Sequence, residues 1–371
     1  MDTGQTQTNC GAALEAASAD ADPQVHASIL KRRSSNKSKV EGSPQAASED
    51  LRQIYLLPGP HRDAAWKTHP LNTDTQLLQT HAIKTAFDLL CKALRRRRWG
   101  LCFYCAPRFG KTWALDMLEQ MLQQDHPEIC ALRAEARNHQ DKTELKLYSH
   151  LLEAQGLRPT ARAGALELRR AFLDFVVATC RANNDAKQVV LMVDEAQYWS
   201  ARQWTFMKSL VNTLASKLYR IRTLVLCFGQ SHLLQVREDA ATLDDHGADI
   251  VDRFLRDMHE FSPLSGKDEL KMIFSQFDDP EMTEHPEDTG ICYSEFRLPR
   301  AYARGWRLEN ELAWSWSAIV GRKRKLAEPL RMIHVMDVVK VFFEMVEDAD
   351  DFKGSVDIWK EALQETTYGS E

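Results

Sequence analysis

The stretch Cys105-Ala-Pro-Arg-Phe-Gly-Lys111-Thr112 brings a glycine, a lysine and a hydroxyl together in the order that grips a polyphosphate. In such a loop backbone N–H groups wrap the β- and γ-phosphates, the lysine ammonium reaches them, and the next hydroxyl ligates Mg2+. Gly110, Lys111 and Thr112 fill those three places. Cys105, Ala106, Pro107, Arg108, Phe109 and Trp113 complete the expected nucleotide-contacting stretch. The pattern G-x-x-x-x-G-K-[ST] is broken at its first glycine, which is Cys105. A side chain is accommodated there if that residue keeps a negative φ. A thiol reagent on Cys105 is expected to impair nucleotide binding, and nucleotide to protect the thiol.

About eighty residues later the run Val189-Val-Leu-Met-Val193 reads as a buried strand and ends in Asp194-Glu195-Ala-Gln197. Asp194 is expected to ligate Mg2+ directly or through water, with Thr112 as the other metal-binding side chain. Glu195 is expected to polarise the water that attacks the γ-phosphate, because in-line attack needs an oriented nucleophile. Either motif alone has a plain structural reading, as a surface turn or as an ordinary strand end. Together and in this order they predict a nucleoside triphosphatase.

The elements that must position these residues alternate along the chain. Apolar runs predict strands over 100–105, 129–134, 188–193, 222–228 and about 258–262. Helical spacing predicts helices over 112–124, 143–156, 164–182 and 201–219. Strand-helix alternation implies a parallel sheet covered by helices on both faces, with ligand loops at the carboxyl edge of the strands. After Pro263 the pattern is helical only. Residues 278–290 read as a polar loop or insertion, with helices near 306–320 and 330–347. Residues 51–75, with Pro58, Pro60 and Pro70, read as an extended lead-in. Residues 1–50 lack aromatics and read as disordered.

Composition narrows the classes. At 371 residues and 44% hydrophobic content the chain holds one large or two modest globular domains. No eighteen-residue apolar run exists and the first thirty residues lack an apolar signal core, so no membrane is expected and the location is expected to be cytoplasmic. Eight scattered cysteines fit reduced thiols better than a disulfide framework. Cys102-Phe-Tyr-Cys105 satisfies C-x-x-C, but no second pair follows at zinc spacing and a redox pair belongs at a helix start. The net charge of -5 hides two basic blocks, Arg95–Arg98 and Arg322–Lys325, and an acidic end from Glu344 onward with nine carboxylates and two lysines.

With these motifs, Phe228-Gly-Gln-Ser-His-Leu233 and Val251-Asp-Arg-Phe254, the chain resembles an AAA+ ATPase over about residues 75–345. Within that superfamily it is similar to the TnsC/TniB transposition regulators. The resemblance implies an α/β P-loop NTPase (AAA+) fold, a parallel sheet sandwiched by helices, followed by a smaller all-helical lid subdomain. The corresponding division is 51–264 for the nucleotide-binding subdomain, 265–347 for the lid and 348–371 for an acidic C-terminal tail. It implies ATP and Mg2+ as ligands, and a head-to-tail homo-oligomer, ring or helical filament, on double-stranded DNA. Transposase and target-selector proteins are the implied partners.

By position, Lys111 and Thr112 match Walker A and Asp194 and Glu195 match Walker B. Gln230 stands at sensor 1, and Arg253 matches the arginine finger, with Arg256 as the fallback. Catalytic roles are therefore expected for Glu195, Lys111, Arg253 and Gln230. Arg300 and Arg304 are both open as sensor 2.

Arg137, Lys142, Lys146, Arg202 and Lys208 are candidate DNA-phosphate contacts, while Arg95–Arg98 and Trp99 could serve a subunit interface or the adenine. Phe352, Trp359 and Tyr368 suggest a partner-docking tail, against a plain solvated end. Rival readings are a monomeric P-loop kinase, which the glutamate after Asp194 disfavours, a DNA-loading or secretion-associated AAA+ protein, and an ATP-gated partner-recruiting switch unrelated to transposition.

Overall fold

Five strands form one parallel sheet in the order β2-β3-β4-β1-β5. They are β1 Gly100–Cys105, β2 Ile129–Glu135, β3 Gln188–Asp194, β4 Arg222–Gln230 and β5 Met258–Glu260. This computed structural model describes residues 52–160, 162–243, 247–262, 264, 266–322, 330–347 and 352–366. The expectations for residues 1–50, for Tyr368 and for 323–325 of the second basic block lie outside them.

The sheet is buried on both faces, which is why its strands read as unbroken apolar runs. Leu101, Phe103, Val190, Met192, Leu226 and Phe228 pack against α3 (His81–Arg95) and α4 (Lys111–Asp125). Val189, Leu191, Val193, Val225 and Cys227 pack on the other side. Their partners there are α5 (Glu144–Glu153), α6 (Ala165–Ala182) and α7 (Ala201–Ala215). Local signals start several of these helices. The Thr80 hydroxyl accepts the Ile83 N–H at the start of α3, and Ser200 with Gln203 forms a reciprocal cap at the start of α7.

Beyond α8 (His232–Ala241) and β5 the chain is helical. A separate apolar cluster joins α9 (Gly266–Phe277), α10 (Leu312–Arg322), α11 (Met332–Val346) and α12 (Val356–Glu365). Leu71, Leu78 and the half-buried Trp113 of α4 also pack against it, so the helical cluster touches the phosphate-loop helix directly.

Two expectations need correction. The lead-in is not extended: α1 (Pro60–Lys67) and α2 (Pro70–Thr73) lie there, each with proline in its first turn. Proline removes an N–H that a helix start leaves unpaired anyway and pre-sets φ, so here it starts helices. The lead-in is held by the loop 278–290, which is a loop as expected, and by its neighbours. Arg52 pairs with Glu295 at 2.7 Å, Arg52 donates to the Gly290 carbonyl at 2.6 Å, and His285 Nε2 bonds the Ala65 carbonyl at 2.8 Å.

The segment after 348 is not simply a solvated tail either. Trp359 is 1% exposed and stacks on Phe342 with ring centroids 4.1 Å apart. Its indole N–H donates to Glu311 Oε2 at 3.0 Å, and Glu311 Oε1 accepts from Trp306 at the same distance. An aromatic side chain this deep cannot also be a free docking handle. Trp359→Ala should therefore cost about 3–5 kcal/mol of unfolding free energy. Denaturant titration of the purified chain checks this, and a change under about 1 kcal/mol would mean the helix is only loosely attached.

Candidate functional site

Parallel pairing puts three strand ends at one edge. Cys105 lies opposite Gln230, and β3 ends beside β4 at Asp194. The loop from Cys105 then turns through Arg108 at φ 64° and Gly110 at φ 79° before α4 begins at Lys111. Glycine carries the left-handed conformation at position 110 without the Cβ penalty. A Cβ built there would meet nothing within 4 Å, so the space beside Gly110 is open.

Lys111 is 7% exposed, an unusual burial for a lysine, and its Nζ lies 3.4 Å from Glu195 Oε1. Thr112 Oγ1 donates to Asp194 Oδ2 at 2.8 Å, while Asp194 Oδ1 accepts the Glu195 N–H at 2.8 Å. Glu195 itself sits at φ 52°. That backbone turn folds its carboxylate back over the phosphate loop, and a non-glycine residue held there is a strain that functional sites often carry.

Two glutamines brace the carboxylate. Gln197 Nε2 donates to Glu195 Oε2, Gln230 Nε2 donates to the same oxygen at 3.2 Å, and Gln197 Oε1 accepts the Gln230 backbone N–H at 2.9 Å. Gly229 makes this possible, because a Cβ there would stand 2.8 Å from Gln197 Oε1. Gln197 was quoted in the motif but not expected among the working residues. Its position two residues after Glu195 and the small Gly229 opposite were the available signals.

Thr112 and Asp194 offer adjacent hard oxygens, which suits Mg2+ sharing its shell with phosphate oxygens. Among the described residues no group of three or more His, Cys, Asp or Glu side chains is placed to hold a metal unaided. Beside the loop is a narrow apolar slot lined by Leu78, Ile83, Phe109, Trp113, Leu264 and Met332. Trp113 was expected to contact nucleotide. So was Phe109; Leu78, Ile83, Leu264 and Met332 were not, because they come from the lead-in, α3, the loop after β5 and the helical cluster. The adenine role considered for Arg95–Arg98 and Trp99 is not favoured: they precede β1, at the amino edge of the sheet.

Cys105 is 4% exposed, and burial pushes its thiol up to about 11 despite the nearby Lys111 ammonium. Cys102 packs on the opposite face of β1 and donates to the Phe254 carbonyl at 3.1 Å, so C-x-x-C is split between two cores. The raised pKa works against a reagent at this thiol, since the thiolate is the nucleophile. A maleimide or disulfide reagent at pH 8 should modify Cys105 about 100-fold more slowly than an unperturbed thiol, with or without ATP. Peptide mass spectrometry over a labelling time course checks this, and rapid, ATP-sensitive labelling would contradict it.

Arg253 lies elsewhere, on a π-helical turn spanning Val251–Leu255. Its Nε donates to Asp249 Oδ1 at 2.8 Å, its Nη1 to Asn212 Oδ1 at 2.7 Å, and its guanidinium lies 5.6 Å from the centre of the Trp99 ring. Trp99 precedes β1, whereas the phosphate loop follows it. Six strand residues separate them, about 20 Å. Arg253 therefore does not join Lys111 and Glu195 within one chain. Arg256 is 66% exposed and pairs with Asp252 at 3.6 Å. Arg300 lies on a short helix spanning Pro299–Ala303, and Arg304 caps it.

Most expected DNA contacts are already engaged. Arg137 pairs with Glu153 at 2.7 Å and Glu135 at 3.5 Å, Lys208 with Asp249 at 2.5 Å, and Lys142 donates to the Tyr198 carbonyl at 2.8 Å. Arg202 lies over the Phe206 ring, and Lys146 lies on α5.

Comparison with known proteins agrees with this architecture. Residues 96–236 match the family model described as an AAA domain. Among solved structures, the chain is similar to the Aeropyrum pernix ORC2 protein in ADPNP–ADP complexes, at 13% identity and a TM-score of 0.51, covering 76% of this chain and 66% of that one. It also matches the Aeropyrum pernix ORC1 protein in complex with DNA at 15% identity and a TM-score of 0.46, covering 80% of this chain and 68% of that one. This chain thus spans about two thirds of the length of these neighbours. No curated protein matches it. The fold is the P-loop AAA+ fold, a five-stranded parallel sheet with flanking helices and a helical region after it. No described helix is long and apolar enough to cross a membrane.

Proposed function

We propose that the protein binds Mg2+-ATP at the loop from Cys105 to Trp113 and hydrolyses it in an assembly of identical subunits on duplex DNA. The observation that carries this reading is the convergence of Lys111, Asp194, Gln197 and Gln230 around Thr112 and Glu195. Thr112 and Asp194 would hold the Mg2+, which when bound neutralises phosphate charge and orients the terminal phosphate.

Lys111 would trade its contact with Glu195 for phosphate oxygens. Glu195 would then accept hydrogen-bond density from the attacking water, with Gln197 and Gln230 keeping the carboxylate turned toward it. Gln230, opposite Cys105 on the strand next to β1, would sense the terminal phosphate. The slot lined by Leu78, Trp113 and Met332 would take the base, which ties nucleotide occupancy to the helical cluster.

Arg253 supports the subunit part of the reading. It is too far from its own phosphate loop to act there, so a transition-state role requires a second copy, as the AAA+ resemblance implies. The segments Asp194–Gln197, Phe228–Leu233 and Val251–Phe254 support the finer proposal, a TnsC/TniB-like regulator that marks target DNA for a transposase and its target selector. A second reading, an ATP-gated partner-recruiting switch outside transposition, is favoured by one observation. Both Glu195 oxygens are engaged by Lys111 and the two glutamines, which suits slow turnover.

Mixing tests the central part. Glu195→Gln should retain binding of a non-hydrolysable ATP analogue and lose about 10²–10⁴-fold in turnover. Arg253→Ala should be comparably slow. Mixed together with duplex DNA the two should recover activity, because the intact Glu195 of one subunit meets the intact Arg253 of the other. No recovery, with both variants co-assembled by light scattering, would contradict composite sites.

A further inference from the structure

The Arg95–Arg98 block, which the nucleotide site does not use, lies at the amino edge of the sheet, opposite the phosphate loop. There the loops entering β1, β3 and β4 bring Arg97, Lys187, Arg220 and Arg222 around one open cleft of about 440 Å3 with no carboxylate in its lining. A neighbouring recess of about 270 Å3 shares Arg97 and Gln188 and adds Arg95, and a smaller one shares Gln188 and Arg222 and adds Arg98. The three form one groove across the amino ends of β2, β3, β4 and β1. Its single lining acid, Glu128, is paired with His126 at 3.2 Å, and the nearby Asp185 with Lys187 at 2.8 Å.

Among the described residues Arg95, Arg97, Arg98, Arg220 and Arg222 form no ion pair with a carboxylate, in contrast to Arg137 and Lys208. Their turns are well defined. Arg97 and Arg220 both sit at φ 54°, with Asn184 and Asp185 at φ 49° and 59° in the loop between them. Arg222 is clamped over the Trp99 ring at 4.4 Å, and its Nε is buried without a hydrogen-bond partner. Arg95, Arg97 and Arg220 are exposed and solvated, and with Arg98 and Arg222 they set a positive potential along one edge that draws anions.

The dimensions identify the anion. Four strand ends about 4.8 Å apart span about 14 Å, too long for one isolated phosphate. One DNA strand carries a charge every ~3.4 Å of helix axis while winding around it, so consecutive phosphates lie roughly 7 Å apart along the backbone and such a groove meets about three of them. We propose that this amino edge is a phosphate-backbone site for duplex DNA, separate from the nucleotide pocket at the carboxyl edge. The proposal rests on the DNA-binding part of the function above and places the duplex on a surface other than the one first expected. Backbone contacts by arginine give affinity without sequence preference.

The test uses the full chain and a labelled mixed-sequence duplex, with binding measured across a salt series. Asparagine tolerates positive φ, so Arg97→Asn with Arg220→Asn removes two charges while keeping both turns. The double variant should lower the slope of log K against log salt by about two and weaken binding on the order of 60-fold at about 0.1 M salt. Binding of a non-hydrolysable ATP analogue should be unchanged, which also shows the variant folded. Arg137→Gln should leave the slope within experimental error.

An unchanged slope in the double variant overturns the proposal. So does an unchanged slope accompanied by lost self-association, since the edge would then serve a second copy's acidic segment. A wild-type chain that binds no analogue, with the slope still falling by two, would sink the ATPase reading and leave this surface standing.

Discussion

Cys105, Asp194 and Gln230 end three adjacent parallel strands, and that shared edge is the constraint on which the site depends. Because β1, β4 and β3 run the same way, the phosphate loop, the paired carboxylates and the glutamine reach one place without long-range loops to position them. The buried Lys111 ammonium, 3.4 Å from Glu195, then sets the electrostatics. A cation of this burial is tolerated only with an anionic partner. In the proposed cycle the partner alternates between the Glu195 carboxylate and phosphate oxygens, so nucleotide and catalytic base compete for one charge. Gln197 and Gln230 matter because they retain Glu195 in position when the lysine leaves it.

The second constraint is how the helical cluster is attached. Trp113 lies on α4, within reach of the phosphate loop, and packs against the same apolar cluster that includes α11 and α12. Leu78 belongs to that cluster and also lines the slot beside the loop. Occupancy of the slot therefore bears on the packing of the lead-in and of the helices together. The Arg52–Glu295 ion pair and the His285–Ala65 bond fasten the lead-in to residues 285–295. These links would give the proposed nucleotide binding a mechanical route away from the sheet.

Much of this was legible in the residues. Val189–Val193 is apolar throughout because both sheet faces are covered, and the glycine, lysine and hydroxyl before α4 announce their chemistry by type and spacing. What failed depended on partners distant in the chain. Pro60 and Pro70 have the same identity whether they start helices or extend a loop, and only the packing against Phe296 and its neighbours decides. Trp359, Ala362 and Leu363 sit at helical spacing, yet the surrounding carboxylates masked them. Arg137 and Lys208 looked available for DNA because Glu153 and Asp249 cannot be seen beside them in the sequence. Cys105 was legible as a strand end, but how far that burial raises its thiol pKa depends on neighbours that the sequence does not show.

The most direct measurement is a calorimetric titration of the full chain with a non-hydrolysable ATP analogue in the presence and absence of Mg2+. The account predicts one site per chain, affinity that depends on Mg2+, and loss of binding in Lys111→Ala with the fold verified by circular dichroism. Absence of binding by the folded wild-type chain, or undiminished binding by the Lys111→Ala variant, would contradict it.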